Sequence, residues 1–247
     1  MNPLSPSSLA AAAENARDKV FGDGIADLRP TPSDVIHKAP QRTVRRYRQR
    51  WEASQETPVL LVPPLASPVQ CFDLRRGNSL AEHLVSLGYP TYLVDYGWIR
   101  FSDRDLGLEH WVEDVIPAAA GAVLADSGAE RVQLVGWCLG GIMSLLSVAD
   151  GRVPAASVAM VASPFDFTRV RLMAPVRRLA GLTGGRLVTG LYRALGGAPS
   201  PLVRIGFQLT SIDRYVTKPI WMAQNLDDRE ALAQTEAVDR FMANMIA

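Results

Sequence analysis

The run Gly136-Trp137-Cys138-Leu139-Gly140-Gly141 constrains this chain more than any other stretch. A short apolar segment, Val132-Gln133-Leu134-Val135, precedes it, and a helical pattern from Ile142 to Ala149 comes after it. The order is strand, tight turn, helix, with a thiol at the apex. Gly136 and Gly140 fit a strained turn in which one backbone must approach another closely. The helix opening at Leu139 aims its free N–H groups and its positive dipole end at the sulfur, which favours a nucleophilic role. An isolated cysteine is more often a small buried hydrophobe. The strand before Cys138 and the helix after it are what single it out.

The same alternation extends along the chain. Val59-Leu60-Leu61-Val62 is an apolar run bounded by prolines and predicts a buried strand. Thr91 to Val94 and Ser157 to Val161 predict two more, and Ile220-Trp221-Met222 is a weaker candidate. Thr43 to Trp51 mixes apolar and basic residues and reads as an edge strand. Asn78 or Ser79 can cap a helix carrying Leu80, Leu84 and Leu87, which Gly88 ends. Leu108 to Leu124 reads as a helix that Pro117 kinks. Short buried strands between helices predict an α/β fold, a mostly parallel sheet with helices on both faces. The turn at Cys138 makes this the α/β-hydrolase version, in which such a turn is the nucleophile elbow.

Residues 1–30 read as a flexible leader containing a short alanine-rich helix, and residues 31–247 as the domain. The stretch at about 169–210 breaks the rhythm, with Arg169, Arg171, Arg177, Arg178, Arg186, Arg193 and Arg204 among leucines and glycines. Inserted between sheet elements, it reads as a helical cap over the site. A chain of 247 residues, 48% hydrophobic and of net charge +1, suits one globular domain and gives no reason to expect nucleic acid. The two cysteines, Cys71 and Cys138, make no disulfide framework, so a reducing, cytoplasmic setting is the simpler expectation. No apolar run is long enough for a transmembrane segment, and the N-terminus does not read as a signal peptide. No cofactor fingerprint and no metal-ligand spacing is present in the sequence.

A tetrahedral acyl intermediate needs two N–H donors for its oxyanion. The amide after the nucleophile, Leu139, is the first. The second should come from the loop after an earlier strand, Pro63-Pro64-Leu65-Ala66. Both prolines lack an N–H, so Leu65 offers the first amide there.

Three stretches together resemble the poly(3-hydroxyalkanoate) synthases. They are Thr31-Pro32-Ser33-Asp34-Val35-Ile36, then Leu61-Val62-Pro63-Pro64-Leu65 with Phe72-Asp73-Leu74-Arg75 and Gly77-Asn78-Ser79-Leu80, and the elbow Gly136 to Gly141. The segment from Arg214-Tyr215 to Asp227-Asp228 resembles the stretch after that family's cap. The resemblance covers about residues 31–247. It implies acyl transfer from hydroxyacyl-CoA through a cysteine thioester on Cys138. Close relatives acting as hydrolases or thioesterases on acyl esters or acyl-CoA are the alternative. An inactive paralogue that binds a partner subunit or a polyester granule surface is a third.

One departure from the family pattern stands out. In this fold the order is nucleophile, acid, histidine. All three histidines, His37, His83 and His110, precede Cys138. The resemblance places the acid and base beyond Ala247. The apolar stripe of Val238, Phe241, Met242, Met245 and Ile246 runs to the last residues, which reads as a C-terminal part of the fold that is missing.

The remaining polar features have plainer readings. Asp166 comes after a strand but early for the family's acid, and Asp227 and Asp228 read as helix caps. Arg42, Arg45, Arg46, Arg48 and Arg50 read as a solvated strand rather than a phosphate site. Cys71 lacks elbow spacing and reads as structural.

Overall fold

The computed structural model describes residues 5–22, 24–49, 53–65, 67–166, 174–187, 190, 194 and 212–244. Its centre is a six-stranded sheet: β1 (Ser33–Ala39), β2 (Arg42–Tyr47), β3 (Val59–Val62), β4 (Thr91–Asp95), β5 (Val132–Trp137) and β6 (Ala155–Val161). The spatial order is β1-β2-β4-β3-β5-β6. β4, β3, β5 and β6 run parallel, whereas β1 and β2 form an antiparallel hairpin against β4. With the elbow at the end of β5, this is the α/β-hydrolase arrangement.

Strand burial explains the sequence pattern. All four residues of β3 are buried, as are the first four of β4. That is why both read as continuous apolar runs rather than alternating ones. One face packs Leu60, Val62, Tyr92, Val94 and Leu134 under helices α4 (Ile116–Ser127) and α5 (Leu139–Ala149), which contribute Ile116, Val123 and Met143. The other packs Val59, Leu61 and Leu93 with Phe72 and Ala81, the last from α2 (Leu80–Ser86). Ser79 caps α2, its hydroxyl accepting from the Glu82 N–H, and Gly88 leaves it at a φ of 82°.

Four expectations need correction. β2 is not an edge strand, because β1 covers it; Pro40 and Gln41 turn the hairpin, with Gln41 at a φ of 48°. β1 itself mixes small, charged and apolar residues and carried no strand signal. The 108–124 helix is three pieces: α3 (Leu108–His110), a widened π turn over Trp111–Val115, and α4. The Pro117 ring would meet the carbonyl of residue 113, and the widened turn lies there. Ile220-Trp221-Met222 is not a strand but part of helix α7 (Ile212–Gln224). Finally, β6 sits at the sheet's edge and is largely exposed, although it contains no charged residue.

Two helices frame the described part of the chain. α1 (Pro6–Phe21) and α8 (Arg229–Ala243) meet through a polar seam. The Asn15 amide donates to the Leu226 carbonyl at 2.9 Å, Arg229 pairs with Asp18 at 2.8 Å, and Ser8 bonds Asp227. The Ile25 N–H donates to Glu236 at 2.8 Å. α8 also buries Leu232, Ala233 and Ala237, and it receives Arg75, which donates to Gln234 at 3.0 Å and pairs with Glu230. Of the stretch at about 169–210, helix α6 (Ala174–Thr183) is described; most of the rest lies outside the described residues.

The Thr31 to Asp73 contact ties the start of the domain to the segment after β3. Asp73 is buried and accepts both the Thr31 N–H and the Thr31 hydroxyl at 2.7 Å. Asp73→Ala strands both donors in a buried site. We expect it to lower stability by about 2 kcal/mol, read as a reduced urea midpoint at unchanged slope. An unchanged midpoint would mean that this contact adds nothing to the fold.

Candidate active site

β5 ends at Trp137 and α5 begins at Leu139, so the whole reversal falls on Cys138, at φ 51° and ψ −118°. A non-glycine residue with positive φ is uncommon and stores strain. The surroundings hold it there. The Cys138 N–H donates to the Val161 carbonyl of β6 at 2.8 Å, and the Cys138 carbonyl accepts from Gly141 at 3.1 Å.

The three elbow glycines explain how the turn fits. A Cβ on Gly136 would lie 2.4 Å from the Gly141 Cα. One on Gly140 would lie 2.2 Å from the Val62 carbonyl oxygen and 2.7 Å from that of Pro63. One on Gly141 would lie 2.2 Å from the Ser163 hydroxyl. Backbone atoms leave no room for a side chain at Gly136 and Gly140, whereas Gly141 meets a side-chain hydroxyl, and the helix start packs backbone to backbone against the ends of β3 and β5.

The Gly140 contact brings the loop of Pro63, Pro64 and Leu65 to the first turn of α5. The Tyr96 hydroxyl steadies that loop by donating to the Pro63 carbonyl at 3.0 Å. Burial raises the Tyr96 ionisation far above the usual phenol range, so the hydroxyl stays a donor. The Leu139 and Gly140 N–H groups open α5 and have no acceptor within the helix. Cys138 is half-buried.

The histidines make their described contacts elsewhere. His37 is on β1 and accepts from Arg42 at 3.3 Å. β1 is four strands from β5, which at the usual strand spacing is ~19 Å. His83 is an exposed residue of α2. His110 faces Asp114 at 3.5 Å and stacks edge-on with Trp111. The carboxylates are also occupied. Asp228 caps α8 through the Ala231 N–H, Asp227 meets Ser8, and Asp95 accepts from the Gly97 N–H at 2.9 Å. On and just after β2, Arg42, Arg45, Arg46 and Arg48 each face an aspartate, namely Asp114, Asp95, Asp126 and Asp34. Arg50 lies outside the described residues, as does the side chain of Asp213. No cluster of His, Cys, Asp or Glu among the described residues has metal-binding geometry. No described helix is long and apolar enough to cross a membrane.

Two supports of the elbow carry no sequence signal. Trp137 packs edge-on to Phe72, with centroids 6.3 Å apart, and stacks flat on Phe241 of α8 at 6.4 Å and 6°. Tyr96 is the other. Neither has a spacing signature, since each acts across a long sequence separation.

No family model matches the sequence. Curated relatives do. A poly(3-hydroxyalkanoate) polymerase subunit of Haloferax mediterranei is 24% identical over 227 residues, which is 87% of this chain and 44% of the relative. That alignment takes in both the β3 segment and the elbow. Over most of its length the chain resembles the poly(3-hydroxyalkanoate) synthases. The corresponding subunit of Haloarcula marismortui is 24% identical over 92% of this chain and 52% of its own length. That of Synechocystis is 26% identical over 72% and 47%. The chain thus spans about half the length of these curated relatives. Among solved structures it is similar to a CIB-like hydrolase from Thermoplasma acidophilum (TM-score 0.41, 16% identity, 56% of this chain and 65% of that one). It is also similar to epoxide hydrolase A from Mycobacterium thermoresistibile (TM-score 0.41, 16% identity, 63% and 46%).

Burial pushes the Cys71 thiol up to about 12, so it stays protonated at neutral and mildly alkaline pH. Iodoacetamide at pH 8 should therefore label Cys138 and leave Cys71 unmodified in the folded protein, as read by peptide mapping. Preferential labelling of Cys71 would contradict the site.

Proposed function

We propose that this chain carries the nucleophile portion of a poly(3-hydroxyalkanoate) synthase-like acyltransferase, with Cys138 accepting an acyl group from hydroxyacyl-CoA. The observation that carries this reading is Cys138 itself. Among the described residues it is the one non-glycine residue held at positive φ between a parallel strand and a helix N-terminus, in a family whose curated relatives are named as polyester polymerases.

In this mechanism the Cys138 sulfur attacks the thioester carbonyl carbon, forming a C–S bond and pushing the carbonyl electrons onto oxygen. The Leu139 and Leu65 N–H groups are the donors for that oxyanion. Collapse breaks the bond to the coenzyme A sulfur. The proton lost by Cys138 ends on the departing coenzyme A thiolate, leaving acyl-Cys138. The hydroxyl oxygen of a second hydroxyacyl-CoA then attacks this thioester, forming an ester C–O bond and breaking the acyl C–S bond, and its proton returns to the departing Cys138 thiolate. A base speeds both proton movements. No described contact of the three histidines reaches the elbow, so in this reading the base and its orienting acid come from outside residues 1–247, as the greater length of the relatives allows.

The test is acylation. The protein is incubated with 3-hydroxybutyryl-CoA, quenched in acid and mapped by mass spectrometry, with Cys138→Ala in parallel. One hydroxybutyryl group on Cys138, absent from the variant, is the expected result. Equal labelling of Cys138→Ala would overturn the assignment. Release of free acid and coenzyme A with no elongation would move the reading to a thioesterase on the same scaffold.

A further inference from the structure

Cys138 is not alone in its strained conformation. Ala162, the first residue after β6, has a φ of 50°. An alanine in the left-handed region is uncommon, and such outliers persist only where the surroundings enforce them. The two strained residues lie side by side at the same end of the sheet, because Trp137 and Val161 are register partners across β5 and β6.

A single carbonyl joins them. The Val161 oxygen accepts the Cys138 N–H at 2.8 Å and the Ser163 hydroxyl at 3.3 Å. Ser163 bonds a carbonyl two residues behind it, which requires the chain to double back at Ala162. The same reversal sets the Ser163 hydroxyl against Gly141, where it lies 2.2 Å from the position a Cβ would take. The Ala162-Ser163 turn therefore meets the elbow at two places, through the Val161 carbonyl that accepts the Cys138 N–H and at the first turn of α5.

We infer that Ala162 and Ser163 are positioning residues for Cys138. Resting on the nucleophile reading above, the inference assigns them the task of fixing the elbow, so that the sulfur and the Leu139 N–H keep one relative geometry. Neither residue reacts. Ala162 supplies the turn, and Ser163 braces the carbonyl that anchors Cys138.

Substitutions at Ala162 separate conformation from side-chain loss. Ala162→Gly adopts positive φ freely, whereas Ala162→Val resists it. The readout is the rate of Cys138 alkylation by iodoacetamide against pH, in which the sulfur displaces iodide and forms a C–S bond. We expect Ala162→Val to slow this reaction by about tenfold or more and to displace its pH profile, and Ala162→Gly to stay within about twofold of the parent. Ser163→Ala, which removes only a hydroxyl, should slow it by about threefold and serves if Ala162→Val does not fold. A merely structural role would change melting temperatures and leave the pH profile in place. Parental rates and profiles in both Ala162→Val and Ser163→Ala, with the parent reactive, would overturn the positioning role alone. A parent protein whose Cys138 resists alkylation would overturn the nucleophile reading itself.

Discussion

The structure turns on a contact between backbones. Gly140, in the first turn of α5, lies against the carbonyl oxygens of Val62 and Pro63 at the end of β3. This contact sets the depth at which the helix enters the sheet. With a side chain there, α5 would have to lift away from β3 and carry the Cys138 turn with it. Gly136 and Gly141 close the same joint from within, each occupying space that a methyl group would need. The close approach gathers three things at one place: the strained cysteine, the free N–H groups that open the helix, and the loop that Tyr96 holds after β3.

The rest of the fold supports that joint. Two apolar clusters, one on each face, hold the parallel strands at fixed spacing. The strain at Cys138 and Ala162 is therefore carried by a stiff scaffold. Trp137, one residue before the thiol, lies among Phe72, Phe241 and the second cluster. Through Phe241 the elbow is coupled to α8, and through α8 to α1. The first and last described helices of the chain thus reach the candidate site indirectly, by packing rather than by chemistry.

What was legible in the sequence was what local physics dictates. β3 and β4 are short apolar runs because they are covered on both faces, β5 alternates buried and half-buried residues, and none of these signals needed tertiary context. The elbow was legible because a strained turn forces glycine at fixed offsets. β1 was not, since a hairpin strand partly open to solvent mixes charge with apolar residues. Ile220-Trp221-Met222 looked like a strand when read alone, yet it continues a helical stripe. The five arginines around β2 looked like a charge run, whereas four of them find aspartates that are distant in sequence. Tyr96, Phe241, Ala162 and Ser163 were invisible for the same reason. Their roles exist only after the chain has brought separate segments together.

The central claim is that folding turns Cys138 into a reactive sulfur. The most direct test compares its alkylation rate in the native protein with the rate in strong denaturant at the same pH, where the sequence is identical and only the elbow is lost. A native rate above the unfolded one means that the turn and the helix N-terminus activate the thiol, as the account predicts. A native rate well below the unfolded one would mean that the fold shields Cys138 as a packing residue, and the catalytic reading of the elbow would be wrong.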